Sequence, residues 1–413
     1  MNSRRQRFVM LISASAILFS GCVQRHTPTV VLWSHRVDVA AIVELYNAEQ
    51  REFKIEMRHV PDPATAITED SVPPDVIISD AVANQELGSY FAPLGSLVDR
   101  APVANTVFYQ DLLRGGHIDG RQRLLPLSFD LPAVIFHRHS RNEDLAEFSL
   151  HVDDIRSGAT EFNTLNNGRF TRMGLSPRWN TEFLYTLAAV HGAHFHENSR
   201  NADWDEQRLR GSIDYVRDWV SSDNQGVRRE NEFTNRYLYD PKYQLLMRER
   251  IRFAYVRASE LFQYTDSQRQ RIDYRWISGD QGIPVLENVV YVGTPQDAPN
   301  RRGAQDVLEW LFQPQTHARI LESVRSKRLP EFGIAGGFSA IAAVNERHFP
   351  RYYPALLGLV PREDKLVFPP RVPRYWNEIR SEVVEPWLYR EASSQPQPRP
   401  LREEIRLWLL QRG

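Results

Sequence analysis

The order of apolar runs predicts an α/β protein built on parallel sheets, and three observations carry that reading. TVVLWS (29–34), FKIEMRHV (53–60) and DVIISDA (75–81) have the length and composition of buried or half-buried strands. Between the first two, Val39, Ile42, Val43, Leu45 and Tyr46 fall on one helical face, with Asp38 near its start. A strand that returns through a helix needs a crossover, which makes neighbouring strands parallel.

Further along, Pro73-Pro74 introduces the third strand and 83–90 reads as the helix after it. RQRLLPLSFDLPAVIFHR (121–138) holds two apolar runs separated by Ser128-Phe129-Asp130 and Pro132. WNTEFLYTLAAVHGA (179–193) is a helix ending at Gly192, and 204–223 is amphipathic, with Leu209, Ile213, Val216 and Val220 on one stripe. Residues 245–264 read as a helix running into a strand, 277–293 as a loop then a strand, and 304–324 as a Pro-broken helical pair. Helix 376–392 is followed by SSQPQPRP (393–400), a flexible or polyproline spacer, and by a short helix at 401–412.

With 413 residues, 42% hydrophobic and 25% charged, the chain is an ordinary globular mixture, which excludes collagen-like, mucin-like and wholly disordered classes. The length suggests two or three cores. No repeat at solenoid or propeller spacing is visible. Lys plus Arg is 51 against Asp plus Glu 52, so nothing points to a nucleic-acid partner. The single cysteine excludes an intrachain disulfide and a cysteine-based zinc cluster. No P-loop, dinucleotide fingerprint, HExxH or nucleophile elbow occurs, and no cofactor is expected.

Arg4, Arg5 and Arg7 precede an apolar run at 8–19, and Phe19-Ser20-Gly21-Cys22 follows. A basic start, a short apolar segment and small residues before a break describe an export leader. The Ser-Gly-Cys ending resembles a bacterial lipoprotein box, with Phe19 where Leu is usual. That resemblance implies lipidation at Cys22 by a diacylglyceryl group and membrane anchoring on the extracytoplasmic side. Residues 1–22 are therefore the expected signal peptide.

Four segments carry a wider resemblance: VVLWSHRVDVAAIVELYNAEQREFKIE, PPDVIISDAVANQELGSYFAPLGSLVD (73–99), FYQDLLRGGHIDGRQRLLPLSFDLPAVIFHR (108–138) and NRRGAQDVLEWLFQPQTHARILESV. In this order they resemble the extracellular solute-binding proteins of ABC importers, family 1, the maltose-binding class, over about residues 29–392. The resemblance implies a two-lobe periplasmic-binding-protein fold of the class II type, each lobe a mostly parallel sheet flanked by helices, joined by a hinge. Lobe 1 is expected from 28–127 plus 284–330 and lobe 2 from 130–282 plus 335–392, with 393–413 as spacer and C-terminal helix. Crossings are expected near Leu127–Asp130, Gly282–Pro284 and Leu329–Ile334. The implied function is capture of a solute, a carbohydrate, in the interlobe cleft and delivery to an ABC permease by a monomer.

Trp33, Ser34 and His35 follow the first strand and Asp80 follows the third, at the end of a parallel sheet where ligands usually bind. Trp33 either packs in the core or offers a stacking face; Asp80 either accepts sugar hydroxyls or caps a helix. The family commonly places a ligand-binding acid at the position of Asp130, the alternative being a hinge-stabilising role. The resemblance also implies cleft contacts from Trp179 and Asn180, and a stacking aromatic at Trp376 unless that ring is buried. The chain departs from the family at 257–262, where Phe262 stands in for a missing Trp, and at 284–288. Glu260 and Glu287 add acidity there, which favours polyols, aminated sugars or another cationic solute. His191, His194 and His196 have metal-like spacing without an acid or Cys to complete a set, so no metal is expected. Two rivals stay open: an exported glycan hydrolase, and a sensor or surface lipoprotein that keeps the fold without transport.

Overall fold

The computed structural model describes residues 27–70, 72–100, 103–140, 148–393 and 399–412; the expected signal peptide with Cys22 and most of the Pro-rich spacer lie outside them. Two sheets organise the chain. The larger has six strands in the order Phe338–Ser339, Leu125–Phe129, Val290–Gly293, Val76–Ser79, Thr29–Ser34 and Lys54–His59. The central strand Val76–Ser79 is buried throughout, as its unbroken apolar run requires, whereas Lys54–His59 lies at the edge and exposes most of its residues. The smaller sheet has four strands in the order Phe253–Arg257, Pro132–His137, Ile272–Ser278 and Ser149–His151.

Helices cover both sheets. Val39–Glu49 and Arg301–Leu311 meet where the Tyr46 hydroxyl donates to Asp306 at 2.6 Å and the Tyr46 and Trp310 rings pack edge-on at 5.1 Å. Beside the smaller sheet, Thr181–Val190, Glu206–Asp218 and Glu385–Ala392 bury Leu187, Ile213 and Leu388 in a second apolar cluster. The C-terminal helix Leu401–Leu410 joins that cluster through Leu401 and Ile405.

Leu125–Phe129 lies in one sheet and Pro132–His137 in the other, so the chain passes between them at Asp130–Leu131. It returns between Ile272–Ser278 and Val290–Gly293, where the short strand Ile283–Pro284 pairs in parallel with Leu366–Val367.

Three expectations need correction. The sheets are mixed rather than mostly parallel: Pro132–His137 is antiparallel to both of its neighbours, and Val290–Gly293 to both of its own. Pro132 pairs with Arg257 at the hinge, so one strand leaves the hinge as the other returns to it. Residues 83–90 contain only the 3-10 turn Gly88–Tyr90, the chain ahead of it being fixed by side-chain acceptors, one of them on the other lobe. Leu87 N–H donates to Asn84 Oδ1, and Gln85 N–H to Glu197. Phe338–Ser339, expected in the second lobe, completes the six-stranded sheet, and the Phe338 ring stacks on Phe349. The third passage therefore falls after Leu366–Val367 instead of at Leu329–Ile334, with Val372 and Tyr375 packing on the second cluster.

Candidate functional site

The parallel strands Thr29–Ser34 and Val76–Ser79 bring their C-terminal ends to one edge of the larger sheet, which places His35 beside Asp80. His35 Nε2 lies 3.3 Å from Asp80 Oδ1, and Arg36 Nη1 donates to Asp80 Oδ2 at 3.3 Å. Arg36 also grips Asp38, at 3.2 Å through Nε and 2.7 Å through Nη2, and donates to the Ala335 carbonyl at 2.9 Å. Ser34 Oγ accepts the Arg36 N–H at 3.1 Å and so turns the chain at the strand end. Burial alone would raise the Asp80 carboxyl, but the His35 hydrogen bond and the Arg36 charge outweigh it and hold the group below its usual value. Asn377, from the helix Trp376–Ile379 on the other lobe, donates to Asp80 across 3.4 Å.

At the crossing, Asp130 accepts hydrogen bonds from Leu131 N–H at 2.9 Å, Ser259 N–H at 3.1 Å and Ser259 Oγ–H at 2.5 Å. Burial raises its pKa against those bonds and against the Arg257 charge. The second lobe contributes Glu182, from the first turn of Thr181–Val190, bonded to Arg257 at 3.0 Å. Glu182 is raised by burial and by the charges of Glu385 and Asp130, and lowered by Arg257 and Arg380. Arg380 lies 3.5 Å from Glu385. Carboxylates and guanidinium groups from both lobes thus lie about the crossing, with Asp130 in electrostatic reach of Arg36 from one lobe and of Arg257 and Glu182 from the other. Such groups offer bidentate acceptors and donors to hydroxyl-rich solutes.

Of the other residues singled out in the sequence, Glu287 lies in electrostatic reach of Arg380, and the rest make their hydrogen bonds and ring contacts outside this cluster. Trp33 is buried in the core, 4% exposed. Phe262 is buried and stacks on Phe332 at 4.5 Å. Glu287 accepts from Tyr185 and, at 2.6 Å, from the Trp376 indole, whose ring meets Phe195 at 5.4 Å; these bonds tie the hinge to two helices. Glu260 is paired with Lys242 at 2.5 Å. Neither added acid is left uncompensated. Trp179 is half-buried and stacks on Phe233 at 5.6 Å, and Asn180 caps the following helix by accepting from Phe183 N–H at 3.0 Å. Both line a cavity of about 220 Å³ with Tyr255, Lys242 and Asp240; Asn180 and Tyr255 stand two positions along the chain from Glu182 and Arg257. His191 binds the Leu187 carbonyl at 2.7 Å and packs on Tyr215, and among the described residues no three His, Cys, Asp or Glu side chains are placed to hold a metal.

Sequence reasoning missed Arg36, Glu182, Arg257, Asn377 and Arg380. Two of them had a readable signal: Arg36 and Arg257 each stand where a strongly apolar strand gives way to charge.

Among solved structures, the chain superimposes on the mannobiose-bound form of CpMnBP1 with a TM-score of 0.64 at 13% identity, covering 92% of this chain and 99% of that one. The sugar-binding protein MalE of Xanthomonas citri gives 0.64 at 12% identity, covering 93% and 100%. The maltose-binding MalE of Listeria monocytogenes, in complex with maltose, gives 0.63 at 11%, covering 94% and 99%. The fold is that of a periplasmic binding protein. No protein-family model matches the sequence, and no curated protein matches it significantly. At these identities the likeness establishes the periplasmic-binding-protein architecture and leaves the solute to be argued from the site.

Proposed function

We propose that the protein captures a carbohydrate between its lobes and delivers it to an ABC permease, anchored outside the cytoplasmic membrane by a lipid on Cys22. The observation that carries this reading is that Arg36, bound to Asp80 on one lobe, and the Glu182–Arg257 pair on the other each lie in electrostatic reach of Asp130 at the crossing. Hydroxyl-rich rings need acceptors and donors held on both sides, and a two-lobe hinge lets the second set close on a solute held by the first. Trp179, three positions before Glu182 in the chain, is the aromatic this reading assigns to the solute. The neighbours in fold whose structures hold mannobiose and maltose support a saccharide over other polar solutes. The ligand contacts assigned to Ser34, His35, Asp80, Asp130, Trp179 and Asn180 belong to this proposal, whereas Trp33, Phe262, Glu287 and Trp376 are given packing and hinge roles.

A thermal-shift screen against sugars, polyols, amino acids and small peptides tests it. A solute at 100 times its Kd stabilises the fold by about 2.7 kcal/mol, a visible rise in Tm. Isothermal titration then compares Asp130→Asn, which keeps an acceptor for Leu131 and Ser259, with Asp130→Ala. A tenfold or greater loss of affinity in both variants is expected if the carboxylate also serves the solute; loss in the alanine variant alone assigns Asp130 to the hinge. Turnover of the bound saccharide would transfer the protein to the hydrolases. Silence across the panel would favour the sensor reading.

A further inference from the structure

Along one edge of the cleft, the segment that follows Leu366–Val367 reaches from the second lobe onto the first. The Arg371 carbonyl accepts the Glu197 N–H at 2.7 Å, which ties this segment to the hairpin His196–Asn198/Asn201–Asp203 of the second lobe. Its guanidinium groups point the other way. Arg371 Nη1 donates to the His117 carbonyl at 2.8 Å, and Arg374 Nη1 to Glu86 at 2.5 Å. Arg374 Nη2 lies 3.4 Å from the hydroxyls of Thr65 and Thr68 on the helix Pro63–Glu69. Glu197 itself crosses the same edge and accepts the backbone N–H of Gln85 with both oxygens, at 2.9 and 3.1 Å. That amide belongs to the irregular stretch at 83–90, which thereby makes a bond across the cleft. Exposed ion pairs contribute little, but the Glu197 side chain is only 4% exposed and that of Arg374 only 12%.

We propose that Arg371, Arg374 and Glu197 are positioning residues that latch the two lobes together at the cleft edge, so that protein contacts alone hold the closed register. Each side-chain bond to the first lobe joins segments on opposite lobes, so none of these survives opening; Arg371 and Glu197 then keep only each other, 3.7 Å apart within the second lobe. The latch sets how much of the closing free energy a solute must itself supply. Its use to the protein rests on the capture proposed above, whereas the latch is tested without any solute.

The test places spin labels at Arg121→Cys and Asn201→Cys, exposed positions on the two hairpins that carry His117 and Glu197, in a Cys22→Ser background. Double electron–electron resonance on the solute-free protein is expected to show a predominant short distance. Glu197→Ala/Arg374→Ala should lose that population and shift to longer distances. If the double variant fails to fold by circular dichroism, Glu197→Ala and Arg374→Gln singly should each give part of the shift. A distribution that is the same in parent and variants, short in all or long in all, overturns the latch. Failure of the solute screen with the shift intact would overturn the capture reading and leave the latch standing.

Discussion

At Gly336 the backbone adopts φ +77°, and a Cβ would lie 2.5 Å from Asp38 Oδ2 and closer still to Arg36 Nη2. Only glycine lets the Arg36–Asp38 pair approach Ala335 this closely. Gly336→Ala is expected to destabilise the protein by about 1–2 kcal/mol from the backbone conformation alone. Because Arg36 must then move off Asp80, solute affinity should fall as well; a urea midpoint and a titration on the same variant separate the two effects. His317 gives the acid limb its sign. It is fully buried with Nδ1 2.8 Å from Ser339 Oγ, and burial pushes its pKa down to about 3. Its contribution to stability is complete above the unfolded pKa near 6.5 and is lost as pH falls towards 3, with a slope of about 1.4 kcal/mol per unit. Asp130, Glu182 and Glu287, raised by burial, act in the opposite sense: their contribution is present at low pH and lost as pH rises through their folded values. His317→Gln should therefore flatten the fall in urea stability between pH 6 and 3. At this scale the sequence revealed residues whose role is local. His35 and Asp80 follow from strand ends, but nothing near Trp376 or Phe262 announces that Glu287 and Phe332 will occupy them.

Among elements, runs with a strong period were legible and those whose amides are claimed from far away were not. Strands 29–34 and 76–79 and the helices 181–190 and 206–218 follow from their own spacing. The segment 83–90 carries a helix-like pattern, yet it makes only a 3-10 turn, with the Gln85 N–H held by Glu197 from the other lobe. Both sheets were expected mostly parallel and are mixed, because Pro132–His137 and Val290–Gly293 pair antiparallel with strands distant in sequence, a long-range event that no local period records. The C-terminal helix was visible, but its docking was not. Leu401 and Ile405 are 3% and 5% exposed, Arg402 pairs with Asp203 at 2.9 Å, and the Trp408 indole donates to Glu382 at 2.8 Å. Two buried aliphatic side chains contribute about 3 kcal/mol or more before the cost of ordering the helix. Deleting 399–413 should lower the urea midpoint measurably and deprotect amides of the hairpin 196–203 in hydrogen exchange; unchanged midpoint and protection would mean that the helix does not dock in solution.

For the whole molecule, three passages between the lobes restrict their relative motion to a hinge, and the latch biases that hinge. A solute can enter only the open form, so the apparent association rate is the open fraction multiplied by the intrinsic rate. Breaking the latch raises the open fraction and speeds association. It also weakens the closed complex, so dissociation must speed up by at least as much, and affinity either holds or falls. Affinity holds when the latch-free protein still closes predominantly, because the latch then stabilises the solute-free and solute-bound closed forms equally. It falls when the latch-free protein opens, because the solute must then supply closure. Stopped-flow measurements on Arg374→Ala, with whichever saccharide the screen identifies, are expected to show association several-fold faster than in the parent and dissociation faster still. A slower association would mean that the Arg374 contacts guide the solute inward instead of gating it.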